Sequence, residues 1–403
     1  MTIPTSQTES AAFLQRITGA PPAETHISAV FAGPSDVYKL KKSVRLSFLD
    51  FSNLETRRQM AQRELDLNRP NAPEIYRAML AIVRAPDGNL KLAPNTEPNA
   101  LDYVVHMARI PTDDFLDVLI ARNGTTPALL DALADAIAAL HAKAPPKQGW
   151  DNAANMRAIT TGNATAARNA GLPPDAIDTW ERAALAELDA ITPHLRARAA
   201  SGAVRRAHGD LHLGNLCLWH GVPTAFDALE FDESLATIDV GYDLAFLLMD
   251  LEFHAGRPAA NRVLNRYLAR TGDFNLLPGL PLYLSNRAMI RAHVQAARGE
   301  PAQAATYLQT AHEMLHPPPP ISVAIGGLQG TGKSTLARAV APTLGRAPGA
   351  VIVRSDEIRK RQHNAIPEQK LPPEAYTPSA NARVNEALIT ELTTALRAGH
   401  AGA

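Results

Sequence analysis

Hydrophobic and polar positions alternate through residues 24–48, where Ile27, Val30 and Phe31 are followed by Val37, Tyr38, Leu40, Val44 and Leu46. A period of two is that of a strand, and Gly33-Pro34-Ser35-Asp36 between the runs is turn chemistry, so the pattern predicts a hairpin. The period lengthens over residues 54–68, a charged helical stretch with Glu64 inside Gln62-Arg63-Glu64-Leu65, and a strand pair is expected around Ile82-Val83 and residues 103–110. Over residues 127–142, Leu129, Leu130, Leu133, Ile137 and Leu140 mark one apolar helical face that opens at Pro127 and ends before Pro145-Pro146. The chain then reads as helical and alanine-rich to His316, except for strand and loop over residues 204–232. Pro317-Pro318-Pro319-Pro320 has no amide protons to give a helix or a central strand and reads as a stiff linker.

Composition narrows the class. The 403 residues carry 40 Lys and Arg against 40 Asp and Glu, so no positive field concentrates nucleic acid or anionic membrane. The one cysteine, Cys217, lies in an apolar stretch and reads as a small buried hydrophobe, and a disulfide within the chain is excluded. No stretch is apolar for long enough to cross a membrane, and Met1-Thr2-Ile3-Pro4-Thr5 lacks the layout of a secretion signal. A soluble, cytoplasmic protein without nucleic-acid or membrane partners is expected.

The chemistry concentrates in two places. The first is His208-Gly209-Asp210-Leu211-His212-Leu213-Gly214-Asn215, followed by Phe226-Asp227-Ala228-Leu229-Glu230-Phe231. One carboxylate can accept a hydroxyl proton, and an Asn five residues on with a second Asp after a short hairpin can hold Mg²⁺, which is the set that phosphoryl transfer from ATP uses. Asp and Asn also favour turns around glycine, the alternative reading of this string. Val37-Tyr38-Lys39-Leu40-Lys41 offers two lysines on one strand face, and spacing does not choose between Lys39 and Lys41; Glu64 lies on the helix that follows. Glu230 and Asp232 either extend the acidic site or face solvent.

These residues resemble the aminoglycoside phosphotransferase family, with its His-Gly-Asp loop ending in Asn, its hydrophobic-Asp strand and an Asp-Leu-Ala helix start, here Asp243-Leu244-Ala245. The resemblance implies Asp210 as catalytic base, Asn215 and Asp227 as Mg²⁺ ligands, and His208 and Asp243 as braces of the loop. It also favours Lys39, paired with Glu64, as the phosphate-binding lysine, because Val-Tyr-Lys-Leu matches the small-lobe pattern. The glycine-rich loop that covers phosphates in protein kinases is missing, which favours a small-molecule kinase. The hinge strand is expected at residues 103–108.

The second place is Ile321-Ser322-Val323-Ala324-Ile325, running into Gly326-Gly327-Leu328-Gln329-Gly330-Thr331-Gly332-Lys333-Ser334-Thr335 and then a helix. Strand, loop and helix in that order are the setting of a phosphate-binding P-loop over Gly327 to Ser334. Gly327, Gly330 and Gly332 let backbone amides converge on phosphate, Lys333 reaches the β and γ phosphates, Ser334 offers a hydroxyl to Mg²⁺, and Thr335 follows. Asp356 and Arg359, after a second strand at residues 350–354, resemble the acceptor-holding pair of small-molecule P-loop kinases. Later strands, a Walker B acid and an arginine lid have no sequence to occupy, so this partial module is expected to be marginal alone, to bind nucleotide weakly and to turn over little.

The tandem order resembles bacterial proteins that fuse an aminoglycoside phosphotransferase-like region to a P-loop ATP-binding domain. The expected architecture is an α+β two-lobed protein-kinase-like domain followed by a partial α/β P-loop NTPase domain. Its parts are a small lobe at 1–110, a large helical lobe at 111–316, a linker at 317–320 and the P-loop module at 321–403. The expected activity is ATP-dependent, Mg²⁺-dependent transfer to a hydroxyl of a small molecule between the lobes. Two alternatives stay open: a nucleotide-binding regulatory protein, and a P-loop kinase regulated by the kinase-like part.

Overall fold

A computed structural model describes residues 2–46, 49–122, 124–328, 330–366 and 368–403. The chain divides into two compact units, one of residues 1–116 with 215–233, the other of residues 117–214 with 234–403.

The first unit is built on a six-stranded antiparallel sheet in the order β1-β2-β3-β8-β6-β7. Its strands are β1 (Ala23–Glu24), β2 (Ser28–Ala32), β3 (Asp36–Lys41), β6 (Tyr76–Arg84), β7 (Leu90–Pro94) and β8 (Asp102–Ala108). A separate short ladder pairs β4 (Arg45–Leu46) with β5 (Leu49–Asp50). The expected hairpin is β2–β3, closed by the Gly33 amide on the Asp36 carbonyl at 2.8 Å. Helix α1 (Thr8–Thr18) packs Phe13 and Leu14 with Phe31, Leu40 and Val104, while α2 (Leu54–Asn68) packs Ala61 and Leu65 with Val37, Met79 and Val105. Because both faces of the sheet are covered, Lys39 and Lys41 on β3 point with Val37 toward buried surroundings, and β3 lacks the clean alternation of a half-solvated strand. Asn53 starts α2 by accepting the Glu55 amide at 2.7 Å. The hairpin β10 (Leu216–Trp219) and β11 (Val222–Ala225) belongs to this unit.

The second unit is mostly helical. After α3 (Leu116–Ala121), which begins at the unit boundary, come α4 (Pro127–Lys143), α5 (Asn152–Asn169) and α6 (Pro174–Ala200). Strand β9 (Val204–Arg206) pairs with β12 (Thr237–Asp239), and α7 (Glu233–Ala236) precedes β12. The chain continues through α8 (Val240–Ala255), α9 (Arg257–Thr271), α10 (Leu280–Ala297) and α11 (Pro301–Met314). The buried face of α4 runs Leu130, Leu133, Ala134, Ile137, Ala138, His141; it ends on a histidine, with Leu140 only partly buried. Residues 240–251 of α8 are all buried, so its two aspartates, Asp243 and Asp250, lie inside the core.

The C-terminal segment forms α12 (Lys333–Val340), α13 (Ser355–Gln362) and α14 (Pro378–Arg397). The strands expected at 321–325 and 350–354 reduce to single parallel bridges, Ser322 with Gly402 and Val351 with Gly402. The partner of both is Ala401-Gly402-Ala403, which lies between the two segments and exchanges backbone hydrogen bonds with each. Helix α9 supplies what the short sheet lacks. Asn261 Nδ2 donates to the Ala350 carbonyl at 3.0 Å, Asn265 Oδ1 accepts the Ile352 amide at 2.6 Å, and Arg257 donates to the Gly345 carbonyl at 2.6 Å.

Candidate active site

In the first unit the ammonium of Lys39 lies 2.9 Å from Glu64 Oε1 and 2.5 Å from Asp227 Oδ1. Lys41 reaches the other oxygen of Glu64 at 2.5 Å and pairs with Glu230. Both lysines therefore meet the helix glutamate, and Lys39 is the one that meets Asp227. Glu64 is fully buried on the inner face of α2 with Ala61, Leu65 and Asn68. Burial pulls the Lys39 ammonium toward neutrality, but the carboxylates of Asp227 and Glu64 outweigh it and hold its pKa well above the usual lysine range.

Asn215 and Asp227 flank the open end of the β10–β11 hairpin. The register sets Leu216 opposite Ala225, and the Phe226 amide donates to the Asn215 carbonyl at 3.0 Å, so Asp227 is one residue beyond the partner of Asn215. Asp227 has φ 60°, a left-handed backbone costing a non-glycine residue about 1–3 kcal/mol, and the surroundings hold it there. Its amide donates to Tyr76 Oη at 3.0 Å, the next amide to Asn68 Oδ1 at 2.8 Å, and Asn71 donates to the Ala225 carbonyl at 2.7 Å.

In the second unit the loop of residues 208–214 is held at both ends by one helix. Asp243 accepts the amides of His208 at 3.0 Å and Gly209 at 2.9 Å, while Asp250, two turns along α8, accepts the Leu213 amide at 3.0 Å. Arg287 of α10 donates to the Gly209 carbonyl at 3.2 Å and lies over the Tyr242 ring at 3.8 Å. Behind Asp243 stand His141 at 3.2 Å and, on the far side of that imidazole, Tyr267 Oη at 2.9 Å. Burial raises the proton affinity of Asp243, but the bond and charge of His141 outweigh it, and the pKa is lowered. Asp210 itself is 42% exposed, with His212 Nε2 at 3.5 Å. Burial of its surroundings pushes the carboxyl up, yet His212, with His208 and Arg287, holds it well below the usual carboxylate range, while Asp210 raises the His212 pKa. The His208 Nδ1 accepts the Asp210 amide at 3.3 Å.

The P-loop segment keeps the backbone its glycines allow, with positive φ at Gly327, Gly330 and Gly332, and α12 begins at Lys333. Gln329 lies outside the described residues. Lys333 Nζ turns back on its loop, donating to the carbonyls of Gly327 at 2.8 Å and Leu328 at 2.6 Å. Ser334 and Thr335 sit in the first turn of α12. Asp356 pairs with Lys360 at 3.0 Å, and buried Arg359 donates to the Ala375 carbonyl at 2.6 Å.

Residues 59–280 match the profile of the phosphotransferase enzyme family, more than half of the chain. The chain belongs to this phosphotransferase enzyme family. Residues 323–401, which contain the P-loop, match an AAA domain. Uncharacterized proteins of Mycobacterium tuberculosis and Mycobacterium bovis are 29% identical over 350 residues, 84% of this chain and 67% of each relative. Among solved structures, a thermostable mutant of aminoglycoside phosphotransferase APH(4)-Ia is 14% identical with TM-score 0.46, covering 76% of this chain and 98% of its own. Choline kinase from Cryptosporidium parvum is 11% identical with TM-score 0.44, covering 72% of this chain and 87% of its own.

In this member of the phosphotransferase family, sequence reasoning missed Asp250, His141, Arg287 and the Tyr76–Asn68 support of Asp227. A signal existed for Asp250: a second aspartate seven residues after Asp243 in an otherwise apolar helix shares its face. The others are remote in sequence and carried none.

Proposed function

We propose that this chain moves the γ-phosphoryl group of ATP to a hydroxyl of a small molecule. The observation that carries the reading is the Lys39–Glu64–Asp227 cluster, a lysine oriented by a buried glutamate beside a partly exposed carboxylate. Lys39, charged at any physiological pH, would hold the nucleotide phosphates, with Glu64 orienting it. Among the described residues no group of three or more His, Cys, Asp or Glu is arranged to hold a metal ion. Asp227 and the Asn215 side chain would hold Mg²⁺, which prefers hard oxygen ligands and keeps several of its waters. Bound Mg²⁺ supplies charge neutralisation on the phosphate oxygens. Asp210 would orient the acceptor hydroxyl and take its proton; its low proton affinity suits late transfer in a loose transition state. Asp243, with His208, keeps the loop in place for that task. The Gly327–Ser334 loop, with Lys333, Ser334 and Thr335, would form a second nucleotide site.

The test is ADP release from Mg-ATP in the presence of amino-sugars, sugars and nucleosides. An acceptor-dependent signal that Asp210→Asn abolishes supports the reading; release that ignores this change rejects it.

A second reading, nucleotide-dependent regulation, draws support from α9, which holds residues 350–352 through Asn261 and Asn265 and also carries Tyr267 to His141 and Asp243. It predicts that Lys333→Ala changes the rate at the Asp210 site without abolishing it.

A further inference from the structure

We infer that Lys41 is a positioning residue for the phosphoryl-transfer site: through Glu64 and Glu230 it keeps Lys39 and Asp227 available to nucleotide and metal. The inference rests on the function proposed above and concerns the first unit alone.

Lys41 is 1% exposed and lies between two carboxylates that are themselves buried, Glu64 at 0% and Glu230 at 5%. It is on the same strand face as Lys39, so β3 presents two ammonium groups to one acidic cluster. The cluster has three carboxylates: Glu64, Asp227 and Glu230. Two positive charges against three negative ones leave one negative charge over. The member of the cluster that solvent reaches is Asp227, whose side chain is 37% exposed. That is the carboxylate the proposed mechanism assigns to the cation. Glu64 shares its oxygens, one per lysine, so Lys41 occupies the side of Glu64 that Lys39 does not.

Without Lys41 the balance changes in a defined way. Glu64 and Glu230 would be left as buried carboxylates with Lys39 as the nearest ammonium, and a buried unpaired carboxylate is far costlier than an exposed one. Lys39 would be drawn inward, away from Asp227 and from phosphates. Glu230, three residues after Asp227, also ties the metal-binding segment to β3, while Tyr76 and Asn68 fix only the backbone at residues 227 and 228. The Lys41–Glu230 pair therefore joins the Lys39–Asp227 contact in placing this segment against the strand that carries Lys39.

The test uses the full chain and a fluorescent ATP analogue, titrated with and without Mg²⁺, with Mn²⁺ paramagnetic resonance as a direct reading of cation binding. Lys41→Met and Glu230→Gln are each expected to raise the Mg²⁺ midpoint about tenfold to a hundredfold, the range for residues that support metal ligands. Metal-free nucleotide binding should change less in Glu230→Gln than in Lys39→Met. The double variant should be no worse than Lys41→Met, because Glu230 acts through its contact with Lys41. Wild-type Mg²⁺ and Mn²⁺ affinity in a folded Glu230→Gln, or additive losses in the double variant, overturns the inference. Glu230→Gln is nearly isosteric and carries the test alone if Lys41→Met does not fold. If the wild-type protein binds the analogue with no dependence on Lys39 or Mg²⁺, the proposed function fails, and the inference falls with it.

Discussion

Removing the carboxylate of Asp243 perturbs the loop of residues 208–214 at its root. Asp243 is fully buried and accepts the amides of His208 and Gly209 at 3.0 and 2.9 Å, with His141 at 3.2 Å. In Asp243→Ala two buried N–H groups lose their acceptor, each costing about 1–3 kcal/mol, and His141 loses its partner; the expected loss of stability is about 3–5 kcal/mol. That is a large part of the 5–15 kcal/mol typical of a folded protein. Asp243→Asn keeps one acceptor oxygen but turns an amide donor toward the second N–H, so its cost should be smaller, about 1–3 kcal/mol. Urea unfolding followed by circular dichroism measures the stability, and amide hydrogen exchange reads residues 208 and 209 directly. The reasoning is refuted if Asp243→Ala costs less than about 1 kcal/mol and leaves exchange at those two amides unchanged.

Three further outcomes follow from the second unit. His400 is fully buried, its Nε2 donates to the Leu277 carbonyl at 3.2 Å, and burial, with the nearby Arg346, lowers its pKa from 6.5 to about 3. The unfolded chain takes up the proton first, so stability is complete above pH 6.5 and falls as pH drops toward 3; the loss by pH 5 should be about 2 kcal/mol, and His400→Phe should flatten that slope in denaturation curves. Asn265→Ala orphans the Ile352 amide and should cost about 1–3 kcal/mol while raising protease sensitivity of residues 345–403, read by limited proteolysis. Lys333→Ala should leave most acceptor-dependent ADP release intact; an ATPase activity that Lys333→Ala abolishes and Asp210→Ala leaves untouched would transfer the chemistry to the P-loop.

The local pattern carried much of the fold. The hairpin around Gly33 to Asp36, the helix at residues 54–68 and the helix from Pro127 are written in nearby residues, as is the order Asp210, Asn215, Asp227. Lys39 and Lys41 could not be told apart because a period of two gives both the same face; separating them takes the position of Asp227, 188 residues after Lys39. Asn261 and Asn265 read as an ordinary polar helix face, since nothing nearby shows that the backbone of residues 350–352 would come to pair with them. The strands at 321–325 and 350–354 looked longer than they are because apolar runs register propensity, while a ladder also needs a pairing partner, here residues 401–403, that those runs do not reveal.

The central claim is most directly tested by the ADP released when the purified protein meets Mg-ATP and a panel of hydroxylated small molecules. At least one acceptor should raise release above the acceptor-free rate, and Asp210→Asn and Asp227→Ala should each remove that increment while the variants remain folded. An increment that survives both changes would contradict the account.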